Sequence, residues 1–313
     1  MTRFQFLVPV DGSDNSINAA KHAVELASKY GAEISSIFVV DKYKYRISDI
    51  FDIVNKAGEE YVAQVRKMAQ DKGVTVKSTK VLSGSPVDQI VNEAKAVDAN
   101  LIVIAAIGGT SSTTSPIGFI ANRVMRHTPS HILLVRHTDN NEQYKQILIA
   151  TDGSADAKYG AQYAMSIARR YNAKVYACNI INSKDRIIDR HVTTLEEAGK
   201  GKLLGEPVTY THEIIKRLRE HMLKDAASVT DDIKDIAKKK DVTVETIVRD
   251  GKTVSEILKI VKNKKIDLVV LGSHGKGTVS KMRLGSVSEK IASTARCSVL
   301  IVRGTRIERV VPE

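Results

Sequence analysis

The chain has 313 residues, enough for two domains that each bury a core, which excludes a disulfide-stapled mini-protein. With 42% hydrophobic and 27% charged residues, its make-up is that of a folded chain rather than a disordered one. Lys and Arg outnumber Asp and Glu by 48 to 36, for a net charge of +12. The basic residues are spread throughout, aromatics make up only 5% and Trp is absent, so no base-stacking groove is indicated and nucleic acid is not expected as a partner.

The first apolar run, Phe4 to Val10, begins too early and lacks the flanks of a secretory signal. The longest run, Leu101 to Ile107, falls far short of the roughly 20 residues that a membrane helix needs. A cytoplasmic chain without membrane contact is expected. Cys178 and Cys297, one in each half, fit buried reduced thiols better than a staple or a metal site.

The run Gln5 to Ser13 ends in Asp11-Gly12-Ser13, and it recurs 141 residues later as Gln146 to Ser154, ending in Asp152-Gly153-Ser154. The offset holds for Tyr30 and Tyr171 and for Val39 and Ile180. From Gly84-Ser85-Pro86-Val87 against Gly251-Lys252-Thr253-Val254 onward it is 167, so the second copy carries a net insertion of 26 residues. Ile132–Arg136 and Val299–Arg303 close the copies. The repeat predicts a domain over 1–138 and another over 144–304, with a polar joint near Asp139 to Gln143 and an insertion at about 182–209.

Within each copy, short apolar runs alternate with helical periodicity, the pattern of a parallel sheet covered on both faces. The fold expected is α/β: two doubly wound, Rossmann-like, parallel five-stranded sheets packed as a pseudo-twofold pair. Pairing Ile132–Arg136 with Val299–Arg303 would cover two otherwise exposed strand edges. The first helix is expected from about Ser16 to Tyr30, with Ile17, Ala20, Val24 and Ala27 on one face and Gly31 as its stop. Its counterpart should start near Asp156. Ser85 and Thr253 are the expected N-caps of the third helix in each copy, Thr253 with Glu256 as its capping-box partner. The insertion combines a Gly- and Thr-containing stretch, expected to act as a lid, with a long stripe through Ile214, Leu218, Met222, Ala226, Val229, Ile233 and Ile236, expected to face the core.

In open parallel sheets, ligands bind beyond the carboxyl ends of the strands. After its fourth strand the second copy reads Gly272-Ser273-His274-Gly275-Lys276, and then, past Lys281 and Arg283, Gly285-Ser286. Glycines there let backbone N–H groups approach a phosphate, and the next helix would begin with Ser286 and Glu289 as a capping box. The spacing is not that of a Walker loop, and the first strand lacks a dinucleotide-binding glycine triplet.

The run Gly272-x2-Gly275-x9-Gly285-Ser286 resembles the universal stress protein family, whose ATP-binding members carry Gly-x2-Gly-x9-Gly-Ser/Thr after the fourth strand. The Asp-Gly-Ser of strand one in both copies and the closing Cys297–Arg303 segment resemble it too. The family's fold is of the adenine nucleotide alpha hydrolase-like kind. The resemblance implies that Asp152 contacts a ribose, that backbone around Ile180 reads adenine, and that Gly272, Gly275, Gly285 and Ser286 hold phosphates. The neighbouring Ala150, Thr151, His274, Val287 and Ser288 complete the expected set, for ATP with or without magnesium. In the first copy Ala105 replaces Gly272, Phe119 replaces Ser286, and Gly109, Thr114 and Pro116 stand where Lys276, Lys281 and Arg283 do. Asp11, Val39, Gly108 and Gly118 persist there, but phosphate binding is not expected.

His127, His131 and His137 fit no zinc spacing and are expected on the surface. No nucleophile and general base stand at a recognisable spacing. Three readings follow: an ATP-binding stress-response regulator acting on client proteins, a slow ATPase or phosphotransferase, and a nucleotide-independent scaffold. The resemblance implies a pseudo-dimer within one chain and is compatible with a further homodimer.

Overall fold

The computed structural model describes residues 4–44, 48–109, 117–136, 142–183, 208–275 and 284–304. In the first half, strands β1 (Gln5–Val10), β2 (Glu33–Asp41), β3 (Val76–Gly84), β4 (Leu101–Ala105) and β5 (His131–Val135) alternate with helices α1 (Asp14–Tyr30), α2 (Ser48–Asp71), α3 (Pro86–Ala96) and α4 (Phe119–His127). The second half repeats this with β6 (Gln146–Ala150), α5 (Ala155–Tyr171), β7 (Lys174–Ile181), α6 (Val208–Lys238), β8 (Val244–Asp250), α7 (Thr253–Asn263), β9 (Leu268–Gly272), α8 (Ser286–Thr294) and β10 (Ser298–Val302). Among the described residues, no helix is long and apolar enough to cross a membrane.

The halves do not stop at two separate sheets. They join into one ten-stranded sheet in the order β3-β2-β1-β4-β5-β10-β9-β6-β7-β8, parallel within each half. The junction is antiparallel: Ile132 faces Ile301, Leu133 faces Leu300 and Leu134 faces Val299. Leu133 and Leu300 are repeat equivalents, so the register is that of an isologous twofold contact, with the same strand of each copy pairing with itself. Every β5 and β10 residue is buried, which is why both strands are apolar after their first residue, His131 or Ser298. No edge remains there to recruit another chain.

Arg136 and Arg303, again repeat equivalents, reinforce this axis. Arg136 Nη2 donates to the Ala292 carbonyl at 2.5 Å, near the end of α8, and Arg303 Nη2 donates to the Met125 carbonyl, near the end of α4. Each guanidinium is buried and sits on the negative end of the other half's helix. On the opposite face, Tyr163 Oη meets His131 Nε2 at 2.8 Å and Tyr144 Oη meets His22 Nδ1 at 3.2 Å. His131 is therefore not on the surface as expected. Its Nδ1 also accepts from the Arg303 backbone N–H at 3.0 Å, a use for histidine that appears only once the halves dock. His127 is exposed, and His137 lies outside the described residues.

Helix boundaries follow local chemistry, with some displaced caps. Ser13 caps α1 and its equivalent Ser154 caps α5, each accepting an N–H three residues on. α1 stops at Gly31 with φ +58°, and α5 at Asn172 with φ +50°, the left-handed position that glycine and asparagine tolerate. Ser85 is the N-cap of α3, before Pro86, but its side chain makes no cap hydrogen bond. Thr253 is not an N-cap: Lys252 is, and Glu256 pairs with Lys259 and Arg249 rather than closing a capping box. On α6, Ala226, Ile233 and Ala237 are buried while Leu218 is exposed, so the long stripe faces the core only toward the helix's C-terminal end.

Candidate functional site

In each half the order of the inner strands reverses between the first strand and the fourth, at β1/β4 and again at β6/β9. The chain leaves these neighbouring strands toward opposite faces, which opens a crevice beyond their carboxyl ends. In the second half it is a cleft of about 320 Å³, and Ala150, Thr151, Asp152, Ile180, Gly272, His274, Gly275, Gly285, Ser286, Val287 and Ser288 all line it. Residues up to 138 positions apart in sequence thus share one wall, with Ala150 ending β6, Gly272 ending β9 and Ser288 in the first turn of α8.

Asp152 sits where the β6 end turns into α5, its Oδ1 accepting from the Ser154 N–H at 3.0 Å. Gly275 passes so close that a Cβ there would come within 2.6 Å of Asp152 Oδ2, so any side chain would displace the carboxylate. Gly272 is constrained from another side: a Cβ would stand 2.7 Å from the Ala157 backbone nitrogen, in the first turn of α5. Its missing side chain serves helix–strand packing, and the residue also lines the cleft. Thr151 is buried, its Oγ1 accepting from Gly153 N–H at 3.1 Å. Ser288 Oγ donates to the Gly272 carbonyl at 2.7 Å, tying α8 to the end of β9.

The start of α8 differs from the expected capping box. Gly285 is the N-cap, Ser286 is the first helical residue, and no side chain caps the helix. Glu289 instead reaches across the dyad to Arg126. Among the described residues no side chain caps the first turn of α8, whereas that of α5 is partly satisfied by Ser154. Lys276, Lys281 and Arg283 lie outside the described residues.

Sequence reasoning missed Asp156, in the first turn of α5. Its Oδ2 accepts from Ser273 Oγ at 2.7 Å, from the His274 N–H at 3.1 Å and from His274 Nδ1 at 3.0 Å, which fixes the path of the loop after β9. Ser154 assists by donating to the His274 carbonyl at 3.2 Å. His274 Nε2 is buried and has no hydrogen-bond partner among the described residues. An acidic residue in a helix's first turn is too common to signal such a contact from sequence. The first copy carries Asn15, Ala106 and Ile107 at the three positions. The expected lid lies almost wholly outside the described residues. At its near end Ser183 is bonded to Asp250 through N–H and Oγ, at 3.1 and 2.6 Å, and Arg219 of α6 pairs with the same carboxylate. These bonds outweigh the opposing effect of burial and hold the Asp250 carboxyl below its usual range.

The equivalent cleft of the first half is larger, about 590 Å³, and is lined by Asp11, Val39, Asp41, Ala105, Gly108 and Phe119 among others. Asp11 is held as Asp152 is, its Oδ1 accepting from the Ser13 N–H at 3.0 Å, and Gly108 crowds its Oδ2 as Gly275 crowds that of Asp152. α4 begins uncapped at Gly118, but Phe119 follows where Ser286 stands in α8. Cys178 also lines the second cleft. It and Cys297 are buried free thiols, and burial pushes both up to about 12, so neither supplies a thiolate.

This architecture is shared with proteins of known structure. A universal stress protein from Archaeoglobus fulgidus superposes with a TM-score of 0.66 over 96% of this chain and 98% of its own, at 18% identity. A functionally unknown protein from Pseudomonas aeruginosa does so at the same TM-score, over 96% and 93%, at 11% identity. In sequence, a universal stress protein of Methanocaldococcus jannaschii is 33% identical over 139 residues, 42% of this chain and 81% of its own. One of Bacillus subtilis is 30% identical over 161 residues, 51% of this chain and 99% of its own. These relatives thus correspond to about half of the chain each. The model of the universal stress protein family matches twice, at residues 3–136 and 143–303. The chain therefore belongs to the universal stress protein family and carries two of its domains in tandem.

Proposed function

We propose that the second domain binds ATP and that its nucleotide state tunes the chain's contacts with client proteins in a stress response. The observation that carries this reading is the convergence in one cleft of a carboxylate able to accept two ribose hydroxyls, Asp152, and an uncapped helix start at Gly285-Ser286. Backbone at Asn179 and Ile180 lines the same cleft and supplies donors and acceptors for a base edge. The triphosphate would lie against the α8 N-terminus, where Ser286 adds a hydroxyl and the positive end of the helix favours negative charge. Among the described residues there is no cluster of three or more His, Cys, Asp or Glu side chains that could hold a metal. A magnesium ion arriving with ATP needs none, because it coordinates mainly phosphate oxygens and water.

Mass spectrometry of ligand released from the purified protein, with calorimetry, tests the reading. About one ATP per chain is expected, and absence of saturable binding would overturn it. Slow hydrolysis has one observation in its favour, the orientation of His274 by Asp156 with Nε2 left without a partner among the described residues. If that reading holds, His274→Gln stops phosphate release while leaving ATP bound. Release at an unchanged rate would remove His274 from it.

A further inference from the structure

The cleft of the first domain has lost its phosphate-binding character without closing. It has about 590 Å³, against about 320 Å³ in the second domain, and its walls are apolar, with Ile37, Val39, Val87, Ile90, Ile104 and Ile117 on them. Such a space is of the size that accepts a small molecule and is too polar at one end to be packing left unfilled. The polar end is acidic: Asp11 and Asp41 both line it, and among the described residues no Lys or Arg does. Between Gly109 and Ile117 the chain reads Thr110 to Pro116, again without a cation.

We propose that this cleft is a separate binding site for an apolar amine, a small organic cation whose lipophilic body fills the apolar walls while its ammonium meets Asp11 and Asp41. Asp11 is fixed for that role by Ser13, through N–H at 3.0 Å and Oγ at 2.5 Å on Oδ1, and by the Gly109 N–H at 3.0 Å on Oδ2. Burial opposes these bonds, but they outweigh it and keep the carboxyl below its usual range, so it stays ionised at neutral pH. The Asp41 side chain accepts from the Tyr43 N–H at 2.9 Å and is steadied at the strand end.

The aromatic residues of this cleft are suited to cations as well. Phe119, 68% exposed, lies 4.8 Å from the Arg123 guanidinium, and the Tyr43 ring lies 5.4 Å from Lys42 Nζ. Arg123 and Lys42 are engaged with the rings rather than lining the cleft, and an aromatic face beside carboxylates is a general way to recognise ammonium groups. Phosphorylated ligands are disfavoured by the same features. The two carboxylates repel them, and Phe119 takes the helix-start position that offers a hydroxyl in the second domain.

The proposal is independent of the nucleotide reading and can fail without it. Dansylcadaverine, an aromatic body with a primary ammonium, is titrated into the full chain and followed by its fluorescence, with uncharged dansylamide as control. Saturable binding with blue-shifted emission is expected, with dansylamide weaker by about tenfold, the loss expected of one charge-assisted contact. Saturating ATP should not displace the probe. Asp41→Asn should weaken binding by a similar factor, and Val39→Lys, which brings a cation to the cleft, should abolish it. A thermal melt checks that each variant is folded, and Asp41→Asn alone decides should Val39→Lys fail to fold. Equal affinity for the two probes, no saturable binding, displacement by ATP or an unaffected Asp41→Asn protein would each overturn the proposal.

Discussion

Arg136 and Arg303 do the same thing in the two domains, whereas Phe119 and Ser286 do not. The arginines each sit buried on a carbonyl near the end of the other domain's helix, α8 or α4, and flank an antiparallel strand pair centred on Leu133 and Leu300. The contrasting pair stands at the first position of α4 and α8, where a ring in one cleft faces a hydroxyl in the other. The frame of the duplication is held by contacts that must match on both sides of an axis, because a change in one strand acts on its own copy's partner. The clefts lie at the far ends of the strands, beyond that constraint. Both helix starts lack a side-chain cap, but one presents the Ser286 hydroxyl while the other carries Phe119 beside a larger cleft.

The sharpest way to break this comparison is to make the second cleft resemble the first. Ser286→Phe should weaken ATP binding by about a hundredfold or more, combining a lost charge-assisted contact with the bulk of the ring. Folding should persist, since α4 accommodates Phe119 at the same position. Full binding by this variant in calorimetry would show that the cleft difference has no bearing on nucleotide.

The dyad contact is not fully symmetric: His22 stands where the second copy has Tyr163, and His131 where it has Ser298. Burial pushes the His22 imidazole down to about 4, a nearby Glu142 charge only partly opposing it. In the unfolded chain the same group titrates near 6.5, so between 6.5 and about 4 the unfolded state binds more protons. Its stabilising effect is complete above 6.5 and is lost as pH falls toward 4, by about 3 kcal/mol. Denaturant titrations across that window should show a shallower pH slope for His22→Gln than for the parent. Identical slopes would assign the acid sensitivity elsewhere.

Matched substitutions then measure how symmetric the frame is. Arg136→Met and Arg303→Met each remove a buried, charge-assisted bond to a helix carbonyl and should each cost about 2 kcal/mol. Unequal costs in urea melts would mean that the repeat conceals different loads on the two sides. The smallest expected effect separates the two carboxylates. Asp152→Asn should weaken ATP binding by about tenfold, or ~1.4 kcal/mol, while Asp11→Asn leaves it unchanged. A comparable loss in both would place nucleotide in both clefts.

Much of the architecture was legible because a duplication states its own boundaries. The recurrence of Asp11-Gly12-Ser13 as Asp152-Gly153-Ser154 aligned the strands, and the apolar runs Ile132–Val135 and Val299–Val302 identified the strands that needed covering. The cleft of the second domain was legible for a related reason: the ends of β6, β7 and β9 are fixed once the strand order is known. Single residues were harder. His131 reads as a surface histidine until Tyr163 and Arg303 arrive from the other domain, and Thr253 reads as an N-cap although the helix begins one residue earlier. The sequence also gives no sign that Gly272 must be small because the first turn of α5 packs against it.

Sequence by itself determined the α/β class, the tandem repeat and the residues gathered at the second cleft. These depend on hydrophobic period and on spacing along one strand or one turn, which are local properties. Pairing of the two closing strands was expected from sequence, but tertiary structure alone decided its antiparallel register, the placing of Arg136 and Arg303 on opposite helices, and the hold of Asp156 on the loop after β9. It also decided that the first cleft is open and is lined by Asp11 and Asp41. The physical reason is that burial and pairing are properties of surfaces that meet only after folding, so the sign of a cleft or the partner of a buried guanidinium has no local signature in the chain.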